Sequence, residues 1–174
     1  VSKITFTGST EVGKLLLKQG ADQVKKMSME LGGHAPIIVL DDADIDKAVN
    51  GALLSKFRNG GQTCICGNRI YVQEGIHDEF VEKFVAAASK LKVGNGLEEG
   101  IDIGPVISKK GYEKIDRHVQ NAIKQGADCV LGGQGKAEGD TYFYNPTILT
   151  GVQPGMVIMN EETFGPVAPI QKVK

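Results

Sequence analysis

The sequence predicts an α/β fold, an open and mostly parallel sheet with helices on both faces. Two observations carry that expectation. Strand-like and helix-like segments alternate along the chain, the pattern in which crossover helices return the chain to a parallel neighbour. Glycine accounts for 23 of 174 residues, well above the usual share of about 7%, so tight turns and close backbone approaches are frequent.

The first strand is read at residues 4–7, running into the turn Gly8-Ser9-Thr10-Glu11-Val12-Gly13 and a helix over 10–19. Residues 24–31 and 35–40 read as strands on either side of Gly32-Gly33. Asp41, Asp42 and Asp44 are acidic start signals for a helix in which Ile45, Ala48, Val49, Ala52, Leu53 and Phe57 recur at helical spacing. That helix stops at Asn59-Gly60-Gly61, and a loop carrying Cys64 and Cys66 leads into a strand at 69–73. Phe80, Phe84, Ala87, Ala88 and Leu91 form the inward stripe of the next helix. A long ordered loop rich in Gly and Pro spans 94–108, and a helix over 111–125 carries Tyr112, Ile115 and Val119 on one face. Short strands are expected at 128–131, 145–149 and 168–174.

Apolar residues make up 41% of the chain and charged residues 24%, which fits a globular protein and excludes a disordered tail. The longest apolar stretch, residues 35–40, is far short of the ~20 residues that span a bilayer. A net charge of −1 supplies no field to draw the chain to nucleic acid or anionic lipid. Lys25-Lys26 and Lys109-Lys110 are too short and isolated to change that. Small molecules and other subunits are the expected partners. Three cysteines cannot all pair, which points to a reducing compartment such as the cytoplasm or the mitochondrial matrix. The chain starts at the edge of one strand and stops in another, so it reads as a segment of a longer polypeptide. A domain boundary is expected near Leu31, dividing residues 1–31 from residues 32–174.

Three segments have the makings of chemistry. In Phe57-Arg58-Asn59-Gly60-Gly61-Gln62-Thr63-Cys64 the paired glycines allow a sharp turn that presents the thiol from a loop. A thiolate there, with backbone N–H groups nearby, is a candidate nucleophile; a small buried hydrophobe is the plainer reading. In Met29-Glu30-Leu31-Gly32-Gly33 a carboxylate ends an apolar strand, where desolvation would suit it to general-base work, or where it is simply salt-bridged. The turn at Gly8-Ser9 and Gly13 leads a strand into a helix N-terminus, a place for a phosphate, although an N-cap at Ser9 or Thr10 explains it as well. The turn lacks the middle glycine of the usual dinucleotide fingerprint.

Taken together, residues 6–13, Glu30-Leu31-Gly32-Gly33, Gly61-Gln62-Thr63-Cys64 and Glu161-Glu162-Thr163-Phe164-Gly165-Pro166 resemble the aldehyde dehydrogenase superfamily, in that family's order along the chain. Phe57-Arg58-Asn59, Cys64-Ile65-Cys66 and Asn68-Arg69-Ile70-Tyr71-Val72 look like its succinate-semialdehyde dehydrogenase branch. The resemblance implies an incomplete aldehyde dehydrogenase-like catalytic domain over 32–174, with 1–31 as the end of the dinucleotide-binding domain. It implies oxidation of succinate semialdehyde to succinate with NADP or NAD as cofactor, or of another short aldehyde. Cys64 would be the nucleophile and Glu30 the base that activates water. Gly8, Ser9 and Gly13 would meet the cofactor phosphates, Leu31 and Gly32 would border the nicotinamide, Glu162 would hold its ribose and Phe164 would flank it. A homodimer or homotetramer is implied for the parent chain.

Arg58 lies six positions before Cys64 (64 − 58 = 6), where a guanidinium can reach a carboxylate at the far end of a short aldehyde. It also suits the C-terminus of a helix. Cys66 is either a partner of Cys64 in a reversible redox switch or a spectator thiol. Cys129, in an apolar strand context, is expected in the core. His34, His77 and His118 are scattered, solvent-facing or core, and no metal site is expected. A cysteine hydrolase, which requires a histidine base, and a noncatalytic assembly module are the alternative function classes.

Overall fold

The computed structural model describes residues Val1–Lys174, which form two compact units, Val1–Gly33 and His34–Lys174.

In the first unit, strands β1 (Lys3–Gly8) and β2 (Lys26–Leu31) pair in parallel from Lys3 opposite Lys26 to Gly8 opposite Leu31, joined by helix α1 (Thr10–Ala21). Ser9 caps α1, its Oγ accepting from the Val12 N–H at 3.3 Å. The helix lies on the strands through its smallest residues. A Cβ on buried Gly13 would stand 2.6 Å from Leu31 Cδ2, so a glycine is what lets α1 approach β2. β2 starts two residues later than expected. Val24 stands in the left-handed region, φ 48°, because the Val24 and Lys25 N–H groups close the end of α1 on Ala21 and Gly20. A β-branched residue in that conformation is a turn position whatever its strand propensity.

The second unit is built on a five-stranded sheet. Strands β3 (Ala35–Val39), β4 (Gly67–Gln73), β9 (Val167–Val173) and β8 (Thr147–Thr150) run parallel in that order, and β5 (Asp128–Leu131) lies antiparallel on the edge beside β8. Helices α2 (Ile45–Phe57), α3 (His77–Ala88) and α4 (Lys109–Lys124) cover it. Alternate residues of a strand point to opposite faces, and the packing follows that rule. Ile70, Ile148, Ala168 and Ile170 pack with Val49, Ala52 and Phe57 of α2 and with Phe80 and Phe84 of α3. Their neighbours Tyr71, Leu149 and Val167 pack with Ile115, Val119 and Ala122 of α4. Helices therefore sit on both faces of a mostly parallel sheet, as expected.

Asp44 caps α2 by accepting from the Lys47 N–H, and Ser108 caps α4 through the Gly111 N–H, so α4 starts at Lys109. The segment 94–108 is an ordered loop, tied by the Val93–Ile103 bridge and by the Lys92 N–H donating to Asp102 Oδ2 at 2.9 Å. A hairpin of β6 (Gly135–Glu138) and β7 (Thr141–Tyr144) adds to the expected elements. Its Gly139-Asp140 loop is a two-residue hairpin signal, but β6 carries no apolar alternation and β7 runs three aromatic residues together. β8 begins after Pro146, whose missing N–H cannot join a ladder, and not at 145. Cys129 departs from expectation outright: it is exposed, because edge strand β5 pairs on one side only. No helix is long and apolar enough to cross a membrane.

Candidate active site

The loop that carries Cys64 connects α2 to β4, and its course is set by backbone conformation. α2 stops at Phe57; the Arg58 N–H bonds the Leu54 carbonyl as the helix closes, and a single 3-10 turn spans Arg58–Gly61. Asn59, Gly60 and Gly61 all have positive φ, 53°, 62° and 70°. Asparagine tolerates that region, and its amide donates to the Gln62 carbonyl at 3.0 Å. Gly61 is required twice over. Its φ disfavours any side chain, and a Cβ would run into the Gly165 carbonyl and stand 2.9 Å from the Lys56 carbonyl.

Gln62 then pins the loop. Its Nε2 donates to the Pro105 carbonyl at 3.2 Å and its Oε1 accepts from the Ile107 N–H at 2.9 Å. Beyond it the chain turns at Thr63, whose carbonyl accepts from the Cys66 N–H, leaving Cys64 exposed and Cys66 1% exposed. All three thiols are free. A depression lined by Asn59, Gln62, Ile107, Asp140 and Phe164 adjoins this loop. Arg58 is exposed where α2 ends, with its side chain in no ion pair. The second loop of the site, residues 161–166, follows helix α5 (Val157–Asn160). Thr163 is buried, Glu162 half-buried and Phe164 38% exposed.

Two residues to which the sequence analysis gave no part in the site organise these loops. His118 of α4 is fully buried, with Nδ1 2.9 Å from Thr163 Oγ1 and Nε2 3.3 Å from Glu161 Oε2. It holds the 161–166 loop from both sides of Glu162. Burial pushes its pKa below the ordinary histidine value, with the Lys114 and Arg117 charges acting the same way and Glu161 opposing. Lys56 is also fully buried; its Nζ is 3.2 Å from Cys66 Sγ and 2.6 Å from Asn68 Oδ1. Burial holds its ammonium below the usual lysine range, offset in part by Cys66 and Glu162. Helical spacing contained the signal for Lys56, since Val49, Ala52 and Lys56 fall on one inward stripe. His118 likewise follows Ile115 at a spacing of three and precedes Ala122 at a spacing of four.

In the first unit, Gly8 ends β1, Ser9 caps α1, and Gly13 packs on Leu31. Glu30 corrects the sequence reading: it is exposed, on the face of β2 opposite Met29 and Leu31, so the burial expected of its carboxylate is absent. The strand is not a continuous apolar run but an alternating one, and Glu30 falls on its polar phase.

The aldehyde dehydrogenase family model matches residues 1–174. The chain is 56% identical over 170 residues to a 3-sulfolactaldehyde dehydrogenase of Pseudomonas putida, covering 98% of this chain and 35% of that protein. It is 56% identical over 173 residues to the mitochondrial succinate-semialdehyde dehydrogenase of Rattus norvegicus, covering 99% and 33%. The crystal structure of an E. coli NADP-dependent enzyme superposes with a TM-score of 0.96 at 52% identity, covering 100% of this chain and 36% of that one. The chain thus spans about a third of the length of the relatives it matches. With the match running from the first residue to the last and the fold reproduced throughout, the chain belongs to the aldehyde dehydrogenase family.

Proposed function

We propose that the polypeptide carrying this chain oxidises a short aldehyde bearing an anionic group at its far end, succinate semialdehyde foremost, with NADP or NAD. The observation that carries this reading is Cys64, an exposed thiol on a glycine-turned loop held in place by Gln62. In the proposed reaction the Cys64 thiolate adds to the aldehyde carbon, and its own N–H helps to hold the oxyanion of the resulting thiohemiacetal. The nicotinamide, when bound, supplies the hydride acceptor that turns this adduct into a thioester. Glu30 then takes a proton from water, which attacks the thioester carbon and frees both the acid and the Cys64 sulfur.

The strand-to-helix turn around Ser9 fits a dinucleotide phosphate, since helix N-termini favour anions and α1 is long enough to have one. Ser9 with Gly8 and Gly13 are its proposed contacts, with Leu31 and Gly32 beside the nicotinamide. Glu162 is assigned to its ribose and Phe164 to its ring. The unit Val1–Gly33 is accordingly read as the end of a cofactor domain and His34–Lys174 as the nucleophile-bearing domain. A homodimer or homotetramer is proposed for the parent chain.

Arg58 is assigned to the substrate's distal anion. The named substrates of the two relatives reported above, 3-sulfolactaldehyde and succinate semialdehyde, share that feature, a sulfonate in one and a carboxylate in the other. An exposed guanidinium on the nucleophile's own loop suits either. A cysteine hydrolase finds less support, because no histidine is hydrogen-bonded to Cys64: His118 meets Thr163 and Glu161, and His77 bonds Asp78.

The test compares kcat/KM for succinate semialdehyde and butanal, which has the same carbon count without the carboxylate, in the parent polypeptide and its Arg58→Ala variant. A preference for the semialdehyde that falls by about 1.5–3 kcal/mol in the variant, the scale of a charged hydrogen bond, is expected. Equal use of both aldehydes by the unmodified enzyme rejects the anionic substrate class, and turnover that persists in Cys64→Ser rejects the nucleophile.

A further inference from the structure

Lys56 has no place in the reaction just described, and its position is unusual. It is 0% exposed, and its ammonium group faces a thiol and an amide, Cys66 Sγ at 3.2 Å and Asn68 Oδ1 at 2.6 Å. The Cys66 thiol in turn lies 3.6 Å from the Lys56 carbonyl. Lys56 stands on the last turn of α2, whereas Cys66 and Asn68 stand at the start of β4. These contacts therefore join the two stems of the loop at its base, and everything between them, Arg58 and Cys64 included, hangs from that junction.

We propose that Lys56 is a positioning residue for Cys64, a buried clasp whose amine fixes the span of the loop that presents the nucleophile. The proposal rests on the reading of Cys64 as nucleophile. Packing does not explain a lysine here. A methionine would fill the same space without desolvating a charge, and exchanging buried polar groups for apolar ones of similar volume is often neutral or stabilising. What an apolar residue cannot do is fix two stems by directional bonds at both a sulfur and an amide oxygen. Gly61 packs close to the same residue, since a Cβ there would stand 2.9 Å from the Lys56 carbonyl. The clasp also keeps Cys66 engaged from the side of Lys56, so a Cys64–Cys66 disulfide requires that bond to break first.

The experiment uses the parent polypeptide with succinate semialdehyde and NADP, and the double variant Lys56→Met/Asn68→Leu, which removes the amine and its amide partner together. The expected result is a split between stability and chemistry. The melting temperature stays level or rises, kcat falls by about tenfold or more, and aldehyde KM stays within about twofold, since a small misplacement of a reacting group costs rate before it costs binding. The rate of Cys64 alkylation by iodoacetamide, read by peptide mass, changes in the same variant. An unchanged kcat in a folded variant overturns the proposal, as does a kcat loss that only follows a fall in melting temperature. Should the double variant not fold, Asn68→Ala decides: it keeps the amine but removes one anchor, and a kcat within about twofold of the parent then rejects the clasp. Cys64→Ser, run in parallel, separates the two ideas, because turnover in that variant defeats the nucleophile and not the clasp.

Discussion

At the scale of single residues, the positions that sequence reading placed best are loop residues whose exposure follows from the turn that carries them. Cys64 and Arg58 stand on the surface of one loop, and no periodicity had to be interpreted to find them. Lys56, which it did not single out, and His118, which it left as solvent-facing or core, are polar side chains on inward helical stripes, where residue type argues for solvent and spacing argues for the core. Glu30 failed in the opposite sense, since its apolar neighbours Met29 and Leu31 alternate with it and do not surround it. His118 yields a pH prediction. Its folded pKa lies below the ordinary 6.5 because of burial, so the unfolded chain takes up a proton that the folded one still refuses. The stability involved is complete above that value and is lost as pH falls through it toward the folded pKa. Urea midpoints measured near about pH 7.5 and about pH 5 should therefore fall less in His118→Gln than in the unmodified protein. An equal or larger fall in the variant would remove His118 from the acid response.

At the scale of elements, helices were legible where capping and spacing agreed, as in α2, which runs from its Asp44 cap to Phe57 as read. Boundaries slipped where a backbone constraint outranked propensity: Val24 in a left-handed turn, and Pro146 before β8. The β6–β7 hairpin was not legible because β6 is polar and the aromatic run of β7, with Phe143 and Tyr144 both buried, does not alternate. The turn from α2 into the Cys64 loop is the element whose sequence is least free. Gly61→Ala places a methyl group against two carbonyls at φ 70°, and the destabilisation should reach at least about 2 kcal/mol, the upper range for a strained backbone position with a clash. Gly51→Ala is the control: it is a helical position with nothing near the added methyl group, and should be neutral or slightly stabilising. If the two variants unfold at the same urea concentration, the backbone account of this loop is wrong.

At the scale of the whole chain, the two units differ in the means they have to stay folded. The second has a five-stranded sheet covered on both faces and two groups of fully buried residues. The first has two parallel strands and a single helix, and its buried residues on α1 are glycines, which contribute no apolar side chain. Two-stranded sheets are marginal in water, and local unfolding free energies follow buried apolar contact. The proposed cofactor contacts Gly8, Ser9 and Gly13, together with Glu30, all lie in this weaker unit. Native-state hydrogen exchange on residues 1–174 alone should therefore show the amides of β1 and β2 exchanging at least about 100-fold faster than those of β4 and β9. The same preparation should oxidise no aldehyde, because Cys64, the proposed nucleophile, would sit on a stable unit while the proposed cofactor contacts and base sit on the weaker one. Comparable protection in both sheets would show that the first unit draws stability from more than its own strands and helix. Turnover by that segment, with or without such protection, would defeat the assignment of the cofactor contacts to a unit that cannot hold them.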